Sequence, residues 1–418
     1  MISCRRAAGD FQMNRRQILK GGVGLLTVVG SASLLPLLVR AAQLALPSGA
    51  VATQVLEALQ GKVPLIKRSY RPPNYETPIS YFNEEFTPNN AFFVRYHLAD
   101  IPKVDAAAWR VRVGGPAVQN PAEFSLDDLK KFEKVEIAAV CQCSGERRGF
   151  SDPHVPGVEW GNGAIGNAKW GGVRLKDVLD KVGLAKDALE VSFNGADGPV
   201  VDKTPDFVKS VPIWKAIDEN TLIAFEMNGE PLPHWNGFPA RIIVPGWTAT
   251  YWMKHIVDIE VLKEPLKNFW VNTAYRIPKG LFPVVQRFVS QEPVDSPTTP
   301  ITEIVVNSLI TNLEDGSEVK AGQPVDIKGI AWDGGYGIVE VAVSTDKGIT
   351  WTPAELGKDL GRFSWRQWTH SFTPGQAGAA TITVRARNAA GATQVDKLLF
   401  NGAGYHNNIA QRLALKVV

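Results

Sequence analysis

The chain has 418 residues, of which 44% are hydrophobic and 21% charged, and its formal net charge is +3. This length predicts two or three globular domains, and so small a net charge argues against a nucleic-acid or anionic-membrane partner. The cysteines are Cys4, Cys141 and Cys143. Because a disulfide across one intervening residue is strained, a stabilising disulfide framework is excluded. The sequence has no Cys-x-x-Cys-His motif, so covalent c-type haem in these residues is excluded as well.

Residues 1–45 have the pattern of an export signal. Arg15 and Arg16 precede an apolar run from Gly21 to Val39, and small residues follow it. This pattern predicts a twin-arginine signal peptide, and therefore a protein exported in the folded state to the periplasm. The alternative is an uncleaved membrane anchor, which the four glycines and one proline of the run disfavour.

The remaining sequence divides into three parts. Residues 46–90 are polar and rich in proline, which predicts an extended N-terminal arm without regular structure. Residues 91–292 mix short strands and short helices without a βαβ rhythm, which predicts an α+β domain. Within it, Ser125 is the expected N-cap of a helix, and Val135–Val140 is the expected strand leading into Cys141. Residues 301–418 alternate apolar and polar positions between glycine-rich turns, which predicts an all-β immunoglobulin-like sandwich.

The stretch with the clearest chemistry is Cys143-Ser-Gly-Glu-Arg-Arg148. It places a thiol after a predicted strand, followed by a glycine turn and two arginines, Arg147 and Arg148. Two cations beside a cysteine favour the thiolate, and their guanidinium groups suit a small oxyanion. Cys141 lies inside the apolar run and is interpreted as a packing residue. Six singly scattered histidines argue against a zinc site.

From Tyr81 to the C-terminus, several motifs resemble the sulfite oxidase family, and they occur in the family's order. They are Arg95-Tyr96-His97, Cys143 to Arg148, Glu159-Trp160, Asn194 to Gly198, His234 to Arg241, and Thr273 to Pro278. The bacterial sulfite dehydrogenase catalytic subunits of that family resemble the chain best. The resemblance implies an α+β molybdopterin-binding catalytic domain over residues 91–292, followed by an immunoglobulin-like dimerisation domain over residues 301–418.

The resemblance also implies roles for individual residues. Cys143 would bind the molybdenum of a mononuclear molybdenum–molybdopterin cofactor, and the catalytic set would be Tyr275, Arg95, Arg148, Trp160 and His97. The residues contacting the cofactor would be Arg95, His97, Cys143, Asp197, Asn236, Arg241 and Lys254. Two positions depart from the vertebrate members: Asn236 stands in place of a histidine, and Glu146 in place of an asparagine. The third arginine of the family's substrate pocket has no assigned counterpart, and Gly404–Asn408 is the expected wall instead.

The implied activity is oxidation of sulfite to sulfate, with electrons passed singly to a c-type cytochrome on a separate chain or subunit. A homodimer and a heterodimer with a cytochrome subunit both remain open. One alternative keeps the cofactor but acts on carrier-bound sulfur, as a sulfane-sulfur dehydrogenase does. An alternative of another class is a non-catalytic secreted binding protein that retains the scaffold. Activity with free sulfite separates the first two hypotheses, and molybdenum content tests the third.

Overall fold

The computed structural model describes residues 55–282 and 297–418. The predicted signal peptide, residues 46–54 of the predicted arm and residues 283–296 before the second domain lie outside the described residues. No helix within the two described ranges is long and apolar enough to cross a membrane.

A small antiparallel sheet precedes the catalytic domain. Its strands, in spatial order, are β1 (Val55–Ala58), β2 (Pro64–Ser69), β3 (Asn74–Glu76) and β4 (Val94–Arg95). The prediction that this segment lacks regular structure is therefore wrong for residues 55–76. Pro72 and Pro73 lie in the turn between β2 and β3, where a missing N–H removes no ladder hydrogen bond. Leu65, Tyr75 and Val94 are then free to form a small apolar core.

Two further sheets form the α+β domain, as predicted. Its strands are β5 (Val111–Gly114), β6 (Ala122–Phe124), β7 (Lys134–Gln142), β8 (Ile165–Arg174), β9 (Glu190–Gly195), β10 (Val208–Pro212), β11 (Leu222–Met227), β12 (Glu230–Pro231), β13 (Arg241–Ile243) and β14 (Ile256–Leu262). One sheet has the order β10-β9-β14-β5-β6. The other has the order β12-β11-β8-β7, with β13 paired to β11. Its α-helices are Leu126–Leu129, Leu175–Val182, Ile213–Ala216 and Phe269–Asn272.

Local sequence explains where the elements around the site begin and end. The Ser125 side chain accepts a hydrogen bond from the Asp128 N–H, and the Asp128 side chain accepts one from the Ser125 N–H, which confirms the predicted N-cap. The predicted strand Val135–Val140 lies within β7, which pairs with β8 as far as Gln142. The chain leaves the sheet at Cys143, so the thiol emerges at the end of a fixed strand.

The second domain is a sandwich of two sheets, as predicted. After a short pair formed by β15 (Arg276–Pro278) and β16 (Thr298–Pro300), its strands are β17 (Asn307–Ile310), β18 (Glu318–Val319), β19 (Val325–Trp332), β20 (Ile338–Ser344), β21 (Thr352–Pro353), β22 (Glu355–Leu356), β23 (Arg366–Phe372), β24 (Gly378–Asn388) and β25 (Gln411–Val417). The orders are β17-β19-β23-β22 and β18-β25-β24-β20-β21. Ile327 and Trp368 of one sheet share a core with Val341, Ile382 and Leu413 of the other.

Arg147 joins the loop after Cys143 to the sandwich. Its buried Nη1 donates to Asn307 Oδ1 at 3.0 Å and to the Ile409 carbonyl at 2.8 Å. Its own carbonyl accepts a hydrogen bond from Asn407 Nδ2 at 3.0 Å. The side chain therefore fixes the two domains to each other directly beside the candidate site.

Arg147→Lys should destabilise the protein, because an ammonium group cannot reproduce the geometry of the guanidinium fork. Loss of a buried hydrogen bond from a charged group costs about 1.5–3 kcal/mol, so we expect a lower urea midpoint for the apoprotein. Arg112→Lys is the control, since Arg112 is half exposed and pairs with Asp258 and Glu260 at the surface. Equal midpoints for the two variants would contradict the role given to Arg147.

Candidate active site

Cys143 is held by a closed set of backbone and side-chain contacts. It is a free thiol with 8% exposure. Its N–H donates to the Ala164 carbonyl at 2.9 Å, and its carbonyl accepts from the Glu146 N–H at 3.0 Å. The Glu146 side chain returns to Ala164, accepting its N–H at 2.8 Å. The turn that presents the thiol is thus tied to the start of β8 from both sides.

Arg148 turns from this loop toward the second domain. Its Nε donates to the Ala403 carbonyl at 2.7 Å and its Nη1 to the Val158 carbonyl at 3.2 Å. Gly145 lets the guanidinium lie directly over the loop, since a Cβ at that position would lie 2.6 Å from it and displace the Arg148 side chain. Arg147, by contrast, is committed to the sandwich. The expectation that both arginines form the oxyanion pocket is therefore wrong for Arg147.

Tyr275 and His97 form a hydrogen-bonded pair, joined through the Tyr275 hydroxyl and His97 Nε2. The His97 ring stacks on Phe207 with centroids 3.6 Å apart. Burial lowers the pKa of His97 well below its usual range, and the charge of Arg95 adds to the effect, so the imidazole is neutral at pH 7. Burial raises the pKa of Tyr275 despite the opposing charges of Arg95 and Arg148, so the phenol keeps its proton.

The same charge interactions show which predicted residues the fold brings together. Burial raises the pKa of Tyr275, the charges of Arg95 and Arg148 lower it, and Cys143 raises it further. These residues come from β4, the loop after β7 and the turn that follows it, yet their charges act on one phenol. Predicted catalytic residues from distant parts of the chain thus surround Tyr275.

Trp160 is a fully buried residue of the predicted substrate pocket. Its indole N–H has no hydrogen-bond partner among the residues that the structure describes. Its carbonyl accepts the Gly149 N–H at 2.8 Å, which ties it to the loop that carries Arg148. A buried donor without a partner is costly, so this N–H suits a bound acceptor.

The predicted cofactor residues other than Cys143 line one cavity. They are Arg95, His97, Asp197, Asn236, Arg241 and Lys254. Cys141 also lines this cavity while belonging to the apolar core. Burial raises the pKa of the Cys141 thiol to about 11, so it is neutral at pH 7. Cys141 therefore forms part of the cavity wall as a packed thiol.

The cavity carries positive charge without a matching set of protein acceptors. Lys254 Nζ and Arg241 Nε are buried and have no hydrogen-bond partner in the described ranges. Lys254 Nζ lies 2.8 Å from the centroid of the Tyr96 ring, and burial lowers its pKa well below the usual range. The carboxylate of Asp197 partly offsets this effect. Buried unpaired cations are costly, and an anionic group in the cavity would satisfy them. These residues therefore fit the phosphate-bearing molybdopterin that the sequence predicts.

Asn236 lines the cavity, but other protein groups already use its amide. Its Oδ1 accepts from Lys62 Nζ at 2.6 Å, and its Nδ2 donates to the Phe93 carbonyl at 3.1 Å. Lys62 also donates to the carbonyls of Asn89 at 2.7 Å and Phe92 at 3.0 Å. Asn236 thus orders the cavity wall, and its direct contact with the cofactor stays a prediction.

Sequence reasoning missed three residues near the site. Lys62 lies in the segment interpreted as an irregular arm. Lys209 Nζ lies 5.3 Å from the Tyr275 ring centroid and 4.9 Å from that of Tyr251. Its position within the apolar strand β10 was an available indication of burial. Tyr405 stacks on Tyr275 with centroids 5.6 Å apart and an interplanar angle of 12°. Only its segment, Gly404–Asn408, was expected as a wall.

Comparison with known proteins agrees with this architecture. A family model of the oxidoreductase molybdopterin-binding domain matches residues 97–270, and one of the Mo-co oxidoreductase dimerisation domain matches residues 298–418. Sulfite oxidase of Arabidopsis thaliana is 33% identical over 315 residues, which are 72% of this chain and 78% of that protein. The chain therefore belongs to the sulfite oxidase family, whose members use a molybdopterin-binding domain of this kind.

Two further similarities limit how much of a relative's function can be inferred for this chain. Mitochondrial sulfite oxidase of Rattus norvegicus is 35% identical over 366 residues, covering 84% of this chain but only 65% of its own length. The crystal structure of the sulfane dehydrogenase SoxCD from Paracoccus pantotrophus superposes with a TM-score of 0.72 over 93% of this chain and 94% of that chain, at 22% identity. The second likeness shows the fold and leaves the substrate open.

Lys62 should make stability depend on pH above neutrality. Burial lowers its pKa from 10.5 to about 7. Between these values the unfolded state holds a proton that the folded state has lost, so the free energy of unfolding rises with pH. The expected slope is at most about 1.4 kcal/mol per pH unit, and it flattens below pH ~7, where both states are protonated. Urea unfolding at several pH values between 7.5 and 9.5 should show a weaker slope in Lys62→Met than in Lys263→Met, a surface control. Identical slopes would refute the assignment.

Lys254→Met should separate cofactor binding from folding. Removal of an unpaired buried cation should stabilise the apoprotein by about 1–3 kcal/mol, seen as a higher melting temperature. The same change removes a charge-assisted hydrogen bond worth about 1.5–3 kcal/mol to a bound anion, so the purified protein should retain less molybdopterin. Fluorescence of the oxidised pterin measures the second effect. If cofactor retention equals that of Lys263→Met, Lys254 does not bind the anion.

Proposed function

We propose that the chain is a periplasmic sulfite dehydrogenase, which oxidises sulfite to sulfate and passes electrons singly to a c-type cytochrome. The observation that carries the proposal is the set of groups around Tyr275. Its hydroxyl is hydrogen-bonded to His97, which lines one cavity with Arg95. Its ring stacks on Tyr405, and Cζ of Arg148 lies 5.3 Å from the centroid of that second ring. Sulfite is a small, doubly charged oxyanion. A pocket with two guanidinium groups suits such an anion better than it suits an uncharged sulfur compound.

Each residue of the site has a distinct part in this reaction. When bound through Cys143, the molybdenum cofactor supplies two-electron oxygen-atom transfer chemistry. Arg95 and Arg148 attract the anion and stabilise negative charge on its oxygens. The Tyr275 hydroxyl is a hydrogen-bond donor for the oxygen that is transferred, or for water, and neutral His97 fixes its orientation. Stacking on Phe207 fixes His97 in turn.

The cofactor cavity would be filled largely by charge complementarity. Arg241 and Lys254 would hold the anionic end of the pterin, and Asp197 would accept from its polar ring. Arg241 is oriented for this role because Nη1 and Nη2 donate to the carbonyls of Asn236 and Trp252, both at 3.0 Å. A preorganised cation of this kind binds an anion without further loss of side-chain freedom.

The location, the acceptor and the assembly belong to the proposal as well. The twin-arginine pattern of residues 1–45 supports a periplasmic enzyme. Because these 418 residues contain no Cys-x-x-Cys-His, we assign the haem to a separate cytochrome. The match of residues 298–418 to a dimerisation-domain model supports a homodimer. A heterodimer with the cytochrome is the alternative assembly.

A sulfane-sulfur dehydrogenase is the second candidate. It is compatible with the superposition on SoxCD, which shows a shared fold over 93% of this chain and leaves the substrate open. Both candidates use the same cofactor and differ in whether free sulfite is a substrate. A non-catalytic binding protein, the third hypothesis, predicts that the chain takes up no molybdenum.

Holoenzyme from a molybdopterin-producing host should contain molybdenum and reduce cytochrome c when sulfite is added. Cys143→Ser replaces a soft thiolate ligand by a hydroxyl. It should lower the rate by more than the roughly 10–100-fold that loss of an outer-shell partner costs, and it should reduce metal content. Metal analysis and the absorbance change of cytochrome c are the measurements. A fully loaded enzyme that ignores sulfite would contradict the proposal and favour carrier-bound sulfur, whereas a metal-free chain would favour the third hypothesis.

A further inference from the structure

We propose that Tyr405 determines the size of the sulfur substrate, by closing the pocket around Arg148 and Tyr275 with an aromatic wall from the second domain. The inference rests on the proposed function, because it concerns the oxyanion that the same site binds. It adds to that function a selection by size, distinct from the selection by charge made by the arginines.

The first observation is the position of the Tyr405 ring. It lies parallel to the ring of Tyr275, with centroids 5.6 Å apart, while Cζ of Arg148 lies 5.3 Å from its centroid. Tyr405 is 8% exposed. Tyr405 is therefore in contact with the phenol and the guanidinium proposed to act on the substrate.

The second observation concerns the N–H groups of Arg148 that no protein acceptor uses. Its Nε and Nη1 donate to the carbonyls of Ala403 and Val158, and the ring of Tyr405 lies against the guanidinium. Among the described residues, Nη2 has no protein acceptor. An anion that binds Arg148 must therefore approach the Nη2 end of the guanidinium beside an aromatic ring, and we infer that the ring excludes a bulky substituent on that anion.

The third observation is that the Tyr405 loop is fixed. Asn401 Nδ2 donates to the Tyr405 carbonyl at 2.8 Å, and Asn401 Oδ1 accepts the Tyr405 N–H at 3.0 Å. Gly404 has a φ of +61°, and a Cβ there would lie 2.7 Å from Val155 Cγ2 and 2.8 Å from Arg148 Cγ. Because the loop is both hydrogen-bonded and closely packed, the backbone that carries the Tyr405 ring is held in place beside Arg148.

Binding of non-reacting anions tests the proposal independently of turnover. Isothermal titration of the holoenzyme with methanesulfonate and benzenesulfonate, which both carry a single negative charge, measures affinity against size at constant charge. The unaltered enzyme should bind benzenesulfonate at least 10-fold more weakly than methanesulfonate. Tyr405→Ala should abolish that difference, whereas Tyr405→Phe should keep it, because the ring and not the hydroxyl forms the wall.

Steady-state kinetics supply a second readout. With sulfite, Tyr405→Ala should raise KM about 10-fold and change kcat by less, since it loosens binding of the small anion. Tyr336→Ala is the control, as Tyr336 is an exposed tyrosine of the same domain. If Tyr405→Ala misfolds by circular dichroism, Tyr405→Leu, which also removes the ring, takes its place.

The outcomes separate the two proposals. Unchanged size selectivity in a folded Tyr405→Ala or Tyr405→Leu enzyme, or loss of selectivity in Tyr405→Phe, would overturn the role of the ring. Failure of the enzyme to oxidise sulfite would instead overturn the proposed function, and the sulfonate titrations would still report on Tyr405.

Discussion

The constraint that dominates this molecule is positive charge buried beside the cofactor cavity, where the cationic side chains lack a full set of protein hydrogen-bond acceptors. Arg241 reaches this cavity from β13, Lys254 from the segment before β14, and Arg95 from β4. Burial lowers the pKa of Lys254 and His97, so the fold bears an electrostatic cost even before any ligand binds. Such a cost is reasonable where a bound anion removes it. The surrounding hydrogen bonds, including those from Lys62 to the cavity wall, preserve the geometry of the cavity.

The second constraint is the junction of the two domains, which coincides with the site. The Tyr275 carbonyl accepts the N–H of Ile301 at 2.9 Å, and β15 directly after Tyr275 pairs with β16 at the start of the second domain. Arg147 and Arg148, adjacent in sequence, then divide their tasks. Arg147 fixes the sandwich in place, and Arg148 meets the aromatic wall that the sandwich supplies. The second domain is therefore part of the pocket.

Sequence reasoning succeeded where the information is local. The N-cap at Ser125, the strand that ends before Cys143 and the alternating strands of the sandwich each follow from a few neighbouring residues. It failed where proline density in residues 55–76 hid three short strands, because Pro64 begins a strand and Pro72 and Pro73 lie in a turn, where none of them interrupts a strand. Arg147 was misassigned for another reason. Its partners, Asn307 and Ile409, lie 160 and 262 residues away. The roles of Lys62 and Tyr405 likewise depend on contacts with residues that are distant in sequence, which no local pattern specifies.

Charge and size are selected by different parts of the molecule. Cys143 and the two pocket arginines come from the α+β domain, whose sheets fix their positions. Tyr405 comes from a loop near the C-terminal strand β25, and loops tolerate change better than the strands that support them. On the proposed function, a change confined to this loop would alter which sulfur compound enters without disturbing Cys143 or the cavity lined by Arg241 and Lys254. The shared fold with a sulfane dehydrogenase at 22% identity is compatible with such a division, because a fold does not by itself fix the substrate.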